Sequence, residues 1–356
     1  MHKILWDQTK DGEDVFIYEL QNQNHLKANI MNYGANLLSL SYYTKEKIWR
    51  NITLGYDNLT QYFENAPCFG AIVAPNANRI ENASFILNQK NYTLEANDGI
   101  NNLHSGSCGL QKRIWEVSNV TDSSITLTYH KHDMDMGFPG NLFIKVTYTL
   151  QKEDAFIIDY EAISDTDTIF NPTFHGYFNL SGDDSGTVLD HMLQLNASHY
   201  TYANSASIPT GEIVTVQHTP MDFTKGKTLG QDINKDYPPL IWGHGYDHNY
   251  IIDQSKETLS HQYSLDSLAV YHAASLRETK TPLELRVYTD LPGIQIYTGN
   301  YLDPSDVGRN NHSYQPQDGV ALEAQFFPNT PNISSFPTSV IKAGEKTYHR
   351  TVYQFN

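Results

Sequence analysis

Ile144-Lys145-Val146-Thr147-Tyr148-Thr149-Leu150 carries an apolar side chain at every second position, the period of a strand that buries one face and wets the other. Residues 124–129 repeat the pattern, with Ile125, Leu127 and Tyr129 on one side and Thr126 and Thr128 on the other. Further runs at 155–160, 248–252, 283–289, 295–298 and 346–354 are built largely from β-branched and aromatic residues and bounded by Gly, Pro, Asn or Asp. Helical stretches long enough to connect parallel strands are nearly missing, which implies antiparallel pairing. Residues 58–65 are a short helical candidate with Asp57 as its cap. Many strands without crossovers must bury their apolar faces against another sheet. The expectation is an all-β chain folded as a large antiparallel β-sandwich with few short helices. No internal repeat or composition shift divides it, so 1–356 reads as a single domain.

Composition narrows the function classes. Apolar residues make up 39% of the 356 and charged ones 18%, a ratio suited to a packed core rather than to disorder. Forty acidic against 24 basic residues give a formal charge of −16, which opposes the counterion release that drives nucleic-acid binding. The longest nearly apolar run, 69–75, falls far short of the roughly 20 residues of a membrane helix. At the N-terminus Lys3 is followed by only Ile4, Leu5 and Trp6 before Asp7, too few for the apolar region of a secretion signal. No nucleic acid or membrane partner is therefore expected, and a cytoplasmic location is. Cys68 and Cys108 have neither disulfide-scaffold nor metal spacing, and read as buried or incidental thiols.

Five stretches hold more polar groups than strand patterning needs. Pro75-Asn76-Ala77-Asn78-Arg79-Ile80 places an arginine in a tight turn, and Asn101-Asn102-Leu103-His104-Ser105-Gly106 places a histidine among small residues. Alone, each is a surface loop. Asn171-Pro172-Thr173-Phe174-His175-Gly176-Tyr177-Phe178-Asn179-Leu180-Ser181-Gly182 sets a histidine among aromatics, where a hydrogen-bonded core histidine is the plain alternative. The fourth stretch is Tyr246-Asp247-His248-Asn249-Tyr250. In the fifth, Ala321-Leu322-Glu323-Ala324-Gln325-Phe326-Phe327-Pro328-Asn329, a carboxylate sits between apolar neighbours, where burial without a partner would be costly. Glu323 is the hardest of these to dismiss.

In sequence order, these stretches resemble those of the aldose 1-epimerase (galactose mutarotase) family. The resemblance also takes in Gly137-Phe138-Pro139-Gly140-Asn141-Leu142, Ile208-Pro209-Thr210-Gly211-Glu212-Ile213 and Pro292-Gly293-Ile294-Gln295-Ile296-Tyr297-Thr298-Gly299-Asn300. It implies a β-supersandwich, no metal or organic cofactor, and interconversion of the α and β anomers of a free sugar by a monomer or homodimer. Position by position, it makes Glu323 the general base and His175 the general acid, with Arg79, His104 and Asp247 holding substrate and Asn78 and Gln295 making lesser contacts. The chemistry suits these residue types: opening a hemiacetal ring takes a proton from the C1 hydroxyl and delivers one to the ring oxygen. Where the family usually has Asn-His-Ser, this chain has Phe174-His175-Gly176, and Ser105 stands in place of a glycine. Both changes are expected to alter the surroundings of the histidines, leaving galactose, glucose and maltose open as substrates.

Three other readings compete. A hexose-phosphate 1-epimerase needs several convergent cations for its dianion, and only Arg79 qualifies. A non-catalytic sugar-binding module needs no matched acid and base. A glycosidase needs two carboxylates, with only Asp247 available to accompany Glu323. The histidine groups His130-Lys131-His132-Asp133 and His244 with His248 match no metal motif and read as surface or supporting residues. Glu323 ionised and His175 protonated at neutral pH would require the imidazole pKa to be raised by nearby negative charge.

Overall fold

The computed structural model describes residues 2–281 and 283–356. Strand Leu142–Leu150 alternates as its sequence dictates, with Leu142, Ile144, Val146, Tyr148 and Leu150 buried. It lies between Ser124–Lys131 and Ala155–Ser164 in a nine-stranded sheet that continues through Lys346–Phe355, Glu284–Thr289, Tyr271–Arg277, Met192–Leu195 and Lys227–Thr228, with Glu116–Val120 at the far edge. A five-stranded meander runs His2–Gln8, Asp14–Gln21, Leu26–Met31, Leu37–Tyr43 and Trp49–Asn51. A six-stranded sheet orders Tyr177–Phe178, Val320–Gln325, Gly293–Tyr297, Asp247–Ile251, His199–Ala203 and Pro209–Thr215. The ladders within these sheets are antiparallel, as the scarcity of helical crossovers requires.

One cluster of buried side chains draws on all three sheets, including Leu26, Ile30 and Leu40 of the meander, Ile144, Val146, Tyr148 and Tyr353 of the large sheet, and Ile294, Ile296 and Leu322 of the six-stranded one. In the six-stranded sheet that inward set leaves the alternate residues Asp247, Gln295 and Glu323 on the opposite face. Polar side chains therefore share a surface whose reverse side is the core.

Two short α-helices, Leu59–Glu64 and Pro238–Gly243, are present among the described residues. The cap of the first is Asn58 and not Asp57: Asn58 Oδ1 accepts the Gln61 N–H at 3.1 Å, three residues on, a reach that the preceding position lacks. Asp57 instead accepts the Asn310 N–H. No helix among the described residues is long and apolar enough to cross a membrane.

Candidate active site

Strand Thr173–His175 pairs with Ala71–Val73. Alternation sends the Phe174 ring into the core, against Phe156, Phe178 and Tyr353, and His175 to the other side. There His175 Nε2 stands 3.5 Å from Glu323 Oε1. A second ribbon pairs Arg79–Ile80 with Asn102–Leu103, and its flanks cross-link: the His104 N–H donates to the Asn78 carbonyl at 3.2 Å, and the Asn78 N–H donates to His104 Nδ1 at 3.1 Å. With Nδ1 an acceptor, the neutral ring carries its proton on Nε2. The His104 and His175 rings meet edge to face at 5.3 Å. Arg79 Nε donates to Asp98 Oδ2 at 2.7 Å, and Gln295 Nε2 donates to Asp247 Oδ1 at 2.6 Å. Of these residues, Asn78, Arg79, His104, His175, Asp247 and Glu323 open on a cavity of about 320 Å³. Tyr177 and Tyr297 also line it, and Tyr301, Asp303 and Asp306 form part of its wall.

Burial sets the protonation states. It lowers the His175 pKa to about 4, outweighing the ring's own backbone carbonyl and the Asp247 charge, which both favour the imidazolium. The sequence-based expectation of a raised value is thus reversed, because desolvation of a 5% exposed imidazole exceeds the attraction of its neighbours. Burial likewise pushes the Glu323 carboxyl well above its ordinary range; Asp247 adds to this and Arg79 opposes it. His104 is held well below the usual imidazole range by burial, His175 and Arg79. In the Arg79 guanidinium the desolvation penalty is overcome by Asp247 and Asp98, and the charge is retained.

Six of the seven expected residues, Asn78, Arg79, His104, His175, Asp247 and Glu323, line this one cavity. Gln295 lies behind it, 4% exposed, and reaches it through Asp247. The sequence does not single out Asp98, whose only signal is a carboxylate in the polar loop preceding His104. Phe174, Gly176 and Ser105 do not line the cavity, which corrects the expectation that they reshape it. A Cβ on Gly176 would overlap the Phe174 ring, so the Phe-His-Gly string is a compensated pair facing the core. Ser105, at φ +67°, uses its hydroxyl to accept the Asn76 N–H at 2.9 Å and donate to the Asn76 carbonyl at 3.0 Å. It ties the His104 loop to the Asn78 turn. His248 is buried, with Nδ1 accepting the Asp247 N–H at 3.0 Å, and so supports that residue. Cys68 borders the cavity, its thiol pushed up to about 12 by burial and then by Glu323, while Cys108 is exposed.

The family profile described as aldose 1-epimerase matches residues 17–354. The chain is 34% identical to the galactose mutarotase of Sus scrofa over 353 residues, covering 99% of this chain and 97% of the relative. It is 31% identical to the aldose 1-epimerase of Escherichia coli over 350 residues, covering 97% and 96%. The solved structure of an aldose epimerase homologue from C. elegans superposes with a TM-score of 0.85 at 28% identity, covering 96% of this chain and 98% of that one.

Proposed function

The chain belongs to the aldose 1-epimerase family and is an isomerase that interconverts the α and β anomers of a sugar, and on that premise we propose that Glu323 and His175 are its acid–base pair. The observation that carries this reading is the 3.5 Å approach of His175 Nε2 to Glu323 Oε1, two buried side chains that both line the cavity. Carboxylate with imidazolium and carboxylic acid with imidazole hold the same single proton. Burial favours the second arrangement in the free enzyme. The first is the reactive one: Glu323 accepts the C1 hydroxyl proton while His175 gives its proton to the ring oxygen, the C1–O bond of the ring opens, and rotation about C1–C2 turns the other face of the aldehyde to the returning oxygen. Reclosure returns both protons in exchanged roles.

The remaining groups orient the sugar. His104 presents Nε2–H as a neutral donor, Arg79 presents N–H groups not taken by Asp98, and Asp247 keeps Oδ2 for a hydroxyl while Gln295 occupies Oδ1. A phosphorylated sugar is disfavoured: the guanidinium is already paired with Asp98, and Asp247, Asp303 and Asp306 all line the cavity. The substrate is a free, neutral aldose, and the reaction as proposed uses no metal or organic cofactor. The same reading takes 1–356 as one domain, supported by the core its three sheets share.

Polarimetry on freshly dissolved α-galactose, α-glucose and maltose tests the proposal. Glu323→Gln and His175→Asn should each lower kcat on the order of 10²–10⁴-fold, and dialysis against EDTA should leave the unmodified enzyme active. Near-parental kcat in a folded Glu323→Gln protein would overturn the assignment.

A further inference from the structure

Asn249, Gln295 and Glu323 form one row across three neighbouring strands, Asn249 pairing with Gln295 and Gln295 with Glu323. One step along, Gly293 pairs with Gln325. Asn249 Oδ1 occupies the space that a side chain on Gly293 would need. Alternation puts Gln325 on the face that Glu323 uses, while Leu322, on the other, enters the core. All four polar residues are at most 4% exposed, and Gln325 is fully buried. Among the described residues, five of their atoms are buried without a hydrogen-bond partner: Asn249 Oδ1, Gln295 Oε1, Glu323 Oε2, and both Oε1 and Nε2 of Gln325. Glu323 turns Oε1 to His175, so Oε2 is its back oxygen, closed to solvent.

With Glu323 ionised, four of these atoms are acceptors and one, the Gln325 amide nitrogen, is a donor with two N–H groups, too few for the set to satisfy one another. A water molecule donates twice and accepts twice, and buried waters in native proteins sit where two to four such groups converge. We propose that this patch is a buried water site behind the catalytic carboxylate, and that Gln325 is a positioning residue whose side-chain amide holds the water against Glu323 Oε2. A donor on Oε2 keeps Oε1 turned toward His175 and stabilises the ionised carboxylate. It thus acts in the same sense as Arg79 and against burial and Asp247. His175, Cys68, Tyr177, Tyr297 and Tyr353 are the other titratable groups around Glu323. None of them donates a hydrogen bond to Oε2.

The proposal rests on Glu323 being the base, and the test separates the two. Gln325→Met keeps the length of the side chain and removes its amide. Its kcat should fall about tenfold with KM within about twofold, and the alkaline limb of kcat/KM should move to higher pH, because the carboxylate loses a donor. An unmoved limb overturns the proposal, with or without a fall in kcat, since packing alone would leave the limb in place. A crystal structure of the unmodified protein decides the matter even if the variant does not fold: a water bonded to Gln325 and Glu323 Oε2 is expected, and a dry patch refutes it. Near-parental kcat in Glu323→Gln would instead refute the base assignment, whatever Gln325 does.

Discussion

Replacing Asp247 with Asn should move both limbs of the pH profile in the same direction. The proposed acid–base pair works with one proton between its members, so activity should fall when a second proton binds and when the last one leaves. With burial lowering His175 to about 4 and raising Glu323, the acid limb reports His175 and the alkaline limb Glu323, the opposite of the order their unperturbed values would give. Each unit by which Glu323 exceeds His175 reduces the reactive arrangement tenfold, or about 1.4 kcal/mol. The Asp247 charge raises both groups, so its removal lowers both. Asp247 pairs with Tyr297 and Tyr297 with Ala321, two residues from Glu323 on the same strand. Two strand spacings and two residue rises give a backbone separation of about 12 Å. Two like unit charges at that distance, in an effective dielectric of about 20, repel by about 1.4 kcal/mol, or about one pH unit. The assay is kcat/KM by polarimetry across the accessible pH range, corrected for spontaneous mutarotation at each pH. Loss of a hydroxyl acceptor lowers the whole profile without moving its limbs. An alkaline limb that stayed in place or rose in Asp247→Asn would refute the electrostatic account of Glu323.

Three further outcomes follow from contacts away from the reacting pair. Gly176→Ser alone should destabilise the fold by about 1–3 kcal/mol through overlap with Phe174, and Phe174→Asn combined with Gly176→Ser should cost less than the sum of the single changes in a denaturation cycle; strict additivity would contradict the pairing. Ser105→Ala leaves the buried Asn76 N–H without its acceptor, which should lower stability by about 1–3 kcal/mol and reduce kcat/KM as the His104 loop loosens. Asp98→Ala frees the Arg79 guanidinium and should raise KM more than it lowers kcat, while equal effects on kcat and kcat/KM would place Arg79 in the chemistry itself.

What the sequence discloses depends on the range of the physics involved. The period-two burial of Leu142–Leu150 is a local property, so it can be read residue by residue. The same rule, applied to Thr173–His175, already places Phe174 opposite His175, and the expectation that its ring borders the histidine fails for want of that step. Glu323 stands out because an isolated carboxylate among apolar neighbours is costly wherever the chain takes it. Asp98 does not, because its meeting with Arg79 depends on how the 97–107 loop folds back over the ribbon. The His175 shift was equally hidden: charge signs are written in the sequence, but the desolvation that outweighs them belongs to the assembled site.

Strand Lys346–Phe355 lies in the interior of the nine-stranded sheet, bonded on one side to Ala155–Ser164 and on the other to Glu284–Thr289. Its Tyr353 ring packs on Phe174, next to His175, and the Tyr353 hydroxyl donates to the Leu322 carbonyl, next to Glu323. During synthesis both flanking strands leave the ribosome before the one that must be inserted between them. Until residues 346–355 emerge, the two halves of the large sheet have open, aggregation-prone edges facing each other, and neither the His175 strand nor the Glu323 strand has its backing. The nascent chain should therefore remain inactive and dependent on chaperones until residues 346–355 have emerged. Moving this strand ahead of Ala155–Ser164 by circular permutation would supply the central strand before either of its neighbours is made.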